Sequence, residues 1–129
     1  MPALYSEVLF DHFRNPRNFG RLPDAEISYE DFNPLCGDRI RIELRLREGV
    51  IAEARFQGDG CAISLAAASM LTELVVGAEI AEGEIISSER LLSALGSDIQ
   101  PTRMKCALLA LEAVRLGVGL YKEQARCGS

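Results

Sequence analysis

The stretch DRIRIELRLREGVIAEARFQGDGC, residues 38–61, decides the fold. From Asp38 to Arg47, Ile40, Ile42, Leu44 and Leu46 alternate with Arg39, Arg41, Glu43 and Arg45, the period of a strand with one face on a core and one in water. Val50 to Gln57 continues less cleanly, with Val50, Ala52, Ala54 and Phe56 as the apolar set. The two segments are expected to form a hairpin. A slip of one residue would set Ile42 against Arg55 on the buried face, so only pairings with an even sum of residue numbers keep both apolar sets together. A three-residue loop, Arg47-Glu48-Gly49, with the glycine left-handed in a bulged turn, then pairs Leu46 with Val50, Leu44 with Ala52, Ile42 with Ala54 and Ile40 with Phe56.

Working outward, Cys61 to Val76 is rich in Ala, Leu, Met and Ile, which predicts a helix buried over most of its circumference and ended by Gly77. Ser87 or Ser88 caps a shorter helix that reaches Leu95 and stops at Gly96. A last helix starts near Pro101 or Thr102 and runs to about Lys122, with Cys106, Leu109, Ala110, Ala113, Gly117 and Leu120 on one stripe. Arg126 to Ser129 reads as a frayed tail. Upstream, a helix from Ala3 or Ser6 to Arg14 stops before Asn15-Pro16, a loop covers Phe19 to Asp24, and a short strand spans Ile27 to Phe32. This order predicts an α+β domain, a small antiparallel sheet of about three strands with helices packed on it.

The 129 residues suit one domain, 1–129, that buries a core without help from disulfides or a structural metal. A net charge of −5 leaves no broad basic face, which argues against nucleic acid and anionic membranes as partners. The arginines at 39, 41, 45 and 47 read as the solvated strand face, with a docking surface for an acidic partner as the secondary reading. No export signal and no long apolar run is present, so the expected location is cytoplasmic and the four cysteines are expected to be reduced.

Extending the hairpin register pairs Asp38 with Gly58 and sets Cys36 opposite Gly60, beside Cys61. Opposed strand residues lie about 5 Å apart at Cα, so Cys36, Asp38 and Cys61 gather at the open end of the hairpin. Cys36 and Asp38 are two apart and project to one side of an extended segment. Cys61 follows Gly58-Asp59-Gly60 and opens a helix, where the positive end of the dipole favours a thiolate. Cys106 lies about one turn inside the last helix behind Arg103 and Lys105, and its distance from the others is not set by spacing. Taken alone, a cysteine on an apolar stripe reads more readily as a small core residue than as a ligand. His12, the single histidine, reads as packed or dipole-paired, and Cys127 as an incidental thiol of the tail.

At these residues the chain resembles the IscU/SufU/NifU family of iron-sulfur cluster scaffolds. The matching runs are Tyr5-Ser6-Glu7-Val8, Asp11-His12-Phe13, Asn15-Pro16-Arg17-Asn18-Phe19-Gly20, Asn33-Pro34-Leu35-Cys36-Gly37-Asp38, Gly58-Asp59-Gly60-Cys61-Ala62-Ile63-Ser64 and Lys105-Cys106-Ala107. The resemblance implies a fold similar to SufE and NifU proteins. It implies that Cys36, Cys61 and Cys106 are the cluster cysteines and that Asp38 is their acidic partner. It also implies a transient 2Fe-2S cluster or zinc as cofactor, a cysteine desulfurase and recipient apo-proteins or cluster carriers as partners, and Cys106 as a candidate sulfur acceptor. The IscU branch has histidine where this chain has Lys105, and Ile99-Gln100-Pro101-Thr102-Arg103 replaces its Leu-Pro-Pro-Val-Lys segment. Both departures are similar to SufU, while the insertion typical of SufU between the second and third cysteines is missing.

The primary reading is a scaffold that receives sulfur and holds iron, zinc or a nascent cluster. The alternative is a zinc-dependent, SufU-type sulfur acceptor that stimulates a desulfurase without carrying the cluster. Other zinc chemistry fits less well. The His-x-Glu with Pro-Cys-x-x-Cys pattern of zinc deaminases is absent, as is the Cys-x-x-Cys spacing of structural zinc modules.

Overall fold

In the computed structural model, which describes residues 6–35, 37–81, 85–96 and 98–127, the hairpin sets the frame for everything else. Strand β2 (Asp38–Arg47) pairs antiparallel with β3 (Val50–Asp59) on one side and with β1 (Ile27–Asn33) on the other, giving the order β1-β2-β3. The expected parity holds from Arg39 to Arg45 but fails beside the turn, and the expected register holds nowhere. Ile42 faces Phe56 and Leu44 faces Ala54, while Leu46 faces Ile51 and Arg47 faces Val50. The loop is a two-residue turn in which Glu48 (φ 52°) and Gly49 (φ 78°) are both left-handed, the turn whose twist matches that of the strands. A bulge at Arg45/Leu46 then absorbs Ala52. The reason is apolar area: near the turn β3 buries Ile51 completely and leaves Ala52 exposed, and the bulge restores the original parity before Ala54 and Phe56.

The inner sheet face, Ile27, Ile40, Ile42, Leu44, Ile51, Ala54 and Phe56, packs against two helices. Helix α2 (Ala62–Val75) is buried on nearly every side, as its composition requires, and carries Ala66, Ala67, Met70 and Leu71 into the core. Helix α4 (Met104–Cys127) follows a short 3-10 turn at Pro101–Arg103 and lies across β1 and β2. Its core stripe contains Leu109, Ala110, Ala113 and Val114 and ends in Val118; Leu120, expected on it, is 47% exposed. The helix also runs past Lys122 to Cys127, because Lys122 to Arg126 are helix formers and the first breaker is Gly128. The expected tail at Arg126 is thus helical as far as Cys127.

Helix α1 (Glu7–Arg14) starts where Ser6 Oγ accepts the Leu9 amide, so the earlier start at Ala3 lies outside the described residues. Helix α3 (Ser88–Leu95) is capped by Ser87 and closed by left-handed Gly96, as the sequence predicts. The free edge of β3 is covered twice. Asn18 and Gly20 bond to Phe56, and Gly77, Ala78 and Ile80 exchange bonds with Gly49 and Ile51. The outer sheet face is drier than expected, because the Arg21–Leu22 segment crosses it. Leu22 N–H donates to Glu43 at 3.1 Å and the Arg21 guanidinium to the same oxygen at 3.3 Å, which leaves Glu43 buried. No helix among the described residues is long and apolar enough to cross a membrane.

His12 ties α1 to α2 instead of facing a metal. Its Nδ1 lies 2.7 Å from Ser69 Oγ and its Nε2 3.5 Å from Glu73 Oε1, and both contacts suit a neutral ring with the proton on Nε2. Arg17 N–H donates to the same Ser69 oxygen at 2.8 Å. Burial, reinforced by Arg17, pulls His12 below the ordinary histidine value of 6.5 against the opposing pull of Glu73 and Asp11. The unfolded chain therefore takes up this proton first. Stability is full above pH 6.5 and falls as pH drops from there towards the lowered native value. Urea midpoints measured between pH 7.5 and 5.5 should decline for the natural protein and stay flatter for His12→Gln.

Candidate metal centre

Three elements deliver the site: the first residue of β2, the residue that caps α2, and the first turn of α4. Ligand atoms of Asp38, Cys61 and Cys106 all lie within 4.8 Å of one another. Tetrahedral zinc with bonds of about 2.3 Å sets its sulfurs about 3.8 Å apart, so the cluster needs only a small contraction to close on an ion. Cys106 is 3% exposed and Cys61 partly exposed, and both are reduced thiols. Cys36 lies outside the described residues, and with it the expected pairing with Gly60; along the chain it is two positions from Asp38.

In the corrected register Gly58 faces Ile40 and Asp59 faces Arg39, so Asp38 comes beside Gly60, the residue after β3. At Gly60 a Cβ would stand 3.0 Å from the Asp38 carboxyl carbon, so the glycine makes the space in which that carboxylate sits. From there it reaches the start of α2. Cys61 N–H donates to Asp38 Oδ1 at 3.3 Å, and the buried Ser64 hydroxyl donates to Oδ2. The carboxylate is 4% exposed and sits where unpaired amides and the helix dipole favour negative charge. Cys61 is the N-cap of α2 in extended conformation, with no capping hydrogen bond from its side chain, which leaves its sulfur turned to Asp38 and Cys106.

Ser64 is the residue that sequence reasoning passed over. Its signal was the Cys61-x-x-Ser64 spacing, that of an N-cap and the third helical residue, whose side chains meet across the first turn. Lys105 is exposed and lines a groove with Phe32, Pro34, Met104 and Leu108.

Residues 4–128 match the family model described as the NifU-like N terminal domain. The chain belongs to that family. Among its relatives, this NifU-like chain is 36% identical to the zinc-dependent sulfurtransferase SufU of Bacillus subtilis, with 92% of this chain and 91% of SufU covered. That alignment spans 137 positions, more than the 129 residues present here, so SufU carries insertions that this chain lacks. The chain is also 37% identical to the iron-sulfur cluster assembly scaffold protein IscU 1 of Archaeoglobus fulgidus over 92% of this chain and 76% of that protein. The fold is similar to the crystal structure of a NifU-like N-terminal protein from Brucella abortus, with TM-score 0.73 and 17% identity over 94% of this chain and 96% of that one. The expected α+β, NifU-like fold is therefore the fold of this protein.

The geometry depends on Gly58 as well. A Cβ there would stand 2.2 Å from the Arg39 carbonyl oxygen and 2.9 Å from Ile40 Cδ1, so β2 and β3 approach this closely only around glycine. Gly58→Ala should lower unfolding stability by about 2 kcal/mol or more, because backbone must move. Gly60→Ala should cost less and displace Asp38 instead. Urea denaturation of the two variants side by side checks the order.

Proposed function

We propose that this chain is an iron-sulfur cluster assembly protein, which receives sulfur from a cysteine desulfurase and holds iron, zinc or a transient 2Fe-2S cluster on Cys36, Asp38, Cys61 and Cys106. The observation that supports it best is the convergence of Asp38, Cys61 and Cys106 from three separate elements. Thiols and a carboxylate form a mixed donor set. Soft thiolates suit zinc and iron-sulfur cargo, and a harder, more readily exchanged oxygen makes the cage incomplete and its cargo transferable. Lys105 stands where the IscU branch has histidine and, protonated, has no lone pair to donate, so the oxygen of Asp38 is the fourth donor. The chain then acts by transfer and is no enzyme in the sense of turning over a small molecule. Its working partners are the desulfurase and recipient apo-proteins in the cytoplasm.

Sulfur enters by exchange. The Cys106 thiolate attacks the outer sulfur of the desulfurase persulfide, a new sulfur–sulfur bond forms on Cys106, and the electron pair of the broken bond leaves on the desulfurase cysteine with no net redox change. Zinc, when bound, would keep the cysteines as thiolates. The SufU-type reading has its own support in the Lys105 substitution and in the 36% identity to a relative named as zinc-dependent. The test is anaerobic reconstitution with iron and sulfide, alongside metal analysis of the purified protein. A 2Fe-2S visible spectrum is expected for the natural protein and loss of at least about tenfold in yield for Cys106→Ser, a ligand loss exceeding the usual outer-shell effect. Neither cluster nor zinc on the natural protein would overturn the proposal.

Two further outcomes assign roles within the site. Asp38→Ala should still assemble the cluster and hold it longer, read as the decay of the visible spectrum under a chelator, because the weakest ligand has gone. Desulfurase turnover under reductant should rise on addition of this protein and lose that stimulation in Cys106→Ser. Since Cys61 has more solvent access than Cys106, loss in Cys61→Ser alone would move the acceptor role to Cys61.

A further inference from the structure

Between Asp38 and Cys61 stands one hydroxyl that the proposed ligand set does not use. Ser64, the third residue of α2, is fully buried, and its Oγ lies 2.5 Å from Asp38 Oδ2 and 3.5 Å from Cys61 Sγ. A serine hydroxyl has a single proton, and the shorter contact takes it: Oγ–H donates to Asp38, and a lone pair of Oγ is left towards the Cys61 sulfur. Asp38 Oδ1 is held independently by the Cys61 amide at 3.3 Å. An aspartate carboxylate otherwise turns broadly about its last torsion, and here each oxygen is pinned by a donor from the first turn of α2. The remaining lone pairs are aimed by those two bonds.

We propose that Ser64 is a positioning residue of the metal centre, which orients the Asp38 carboxylate towards the ion and sets how tightly the site holds it. This rests on the reading of Asp38, Cys61 and Cys106 as ligands. A group that hydrogen-bonds a ligating carboxylate fixes its direction and its basicity, and loss of such a group typically costs about 10–100-fold in metal affinity.

The experiment is zinc competition against a chromophoric chelator, on the natural protein, Ser64→Ala, Asp38→Ala and the double variant, with the melting of each metal-free protein followed by circular dichroism. Ser64→Ala is expected to raise the zinc dissociation constant about tenfold or more. In the Asp38→Ala background the same substitution should change it less than about twofold, because Ser64 acts through Asp38. Ser64→Thr keeps the hydroxyl and should stay within about threefold of the natural protein; it also serves if Ser64→Ala fails to fold. A cobalt-substituted sample adds a readout that a merely structural role would not move, a shift of the visible ligand-field bands in Ser64→Ala but not in Ser64→Thr. Unchanged zinc affinity in folded Ser64→Ala, an equal loss with and without Asp38, or loss in folded Ser64→Thr would overturn the proposal alone. Failure of the natural protein to bind zinc or cobalt would overturn this proposal, and if anaerobic reconstitution gave no cluster either it would overturn the parent reading as well.

Discussion

The close approach of β2 and β3 at Gly58 and Gly60 is the constraint on which the rest of the site depends. Two strands with ordinary side chains at these positions could not bring Arg39 and Ile40 against residue 58, nor place a carboxylate over residue 60. Because they do, Asp38 lies beside the first turn of α2, where backbone amides need acceptors. The carboxylate thus has a structural task, accepting from the helix start, before any ion arrives. Hydrogen bonds to both its oxygens also offset part of the cost of burying it.

Burial divides the site into a fixed part and an accessible one. Cys106 is held in a small apolar cluster with Ile63 and Ala107, on the helix that lies across the sheet. Cys61 keeps partial exposure at the mouth of α2, and Leu35, one residue before Cys36, is 81% exposed. A cage with one buried wall and one open side suits cargo that must be received from one protein and passed to another. The open side is also where the fold offers apolar surface, since Phe32 is exposed near the same strand end.

The opposite end of α2 is held by a different device. Ser69 receives α1 through His12 and the Arg17 amide, while Asn18 bonds to Thr72 one turn further on. These polar residues sit in a helix whose composition suggested almost pure core, and they are buried yet satisfied. One helix therefore carries the serine that holds Asp38 at its start and the α1 latch in its second half.

The α+β class, the hairpin parity, the helix caps at Ser6, Ser87 and Gly96, and the candidate residues Asp38 and Cys61 at one hairpin end were all legible from residue order alone. Each follows from local rules: period, cap chemistry, and the fact that a one-residue slip reverses every side chain. The register shift was not legible, because beyond the bulge a shift of two preserves parity and leaves the apolar pattern of Ile40 to Leu44 and of Ala54 and Phe56 unchanged; it arose beside the turn, where Ile51 is buried in place of Ala52. Glu43 is buried for a similar reason, since only the path of Arg21 and Leu22 across the outer face reveals that this side is covered. The approach of Cys106 is the largest effect of this kind: it lies 45 positions after Cys61, and spacing along a chain carries no distance between elements until the sheet, α2 and α4 pack. Residue order determined which groups could bind an ion. Tertiary packing decided that Asp38, Cys61 and Cys106 do meet, because contact between distant elements is a property of the shared core they bury.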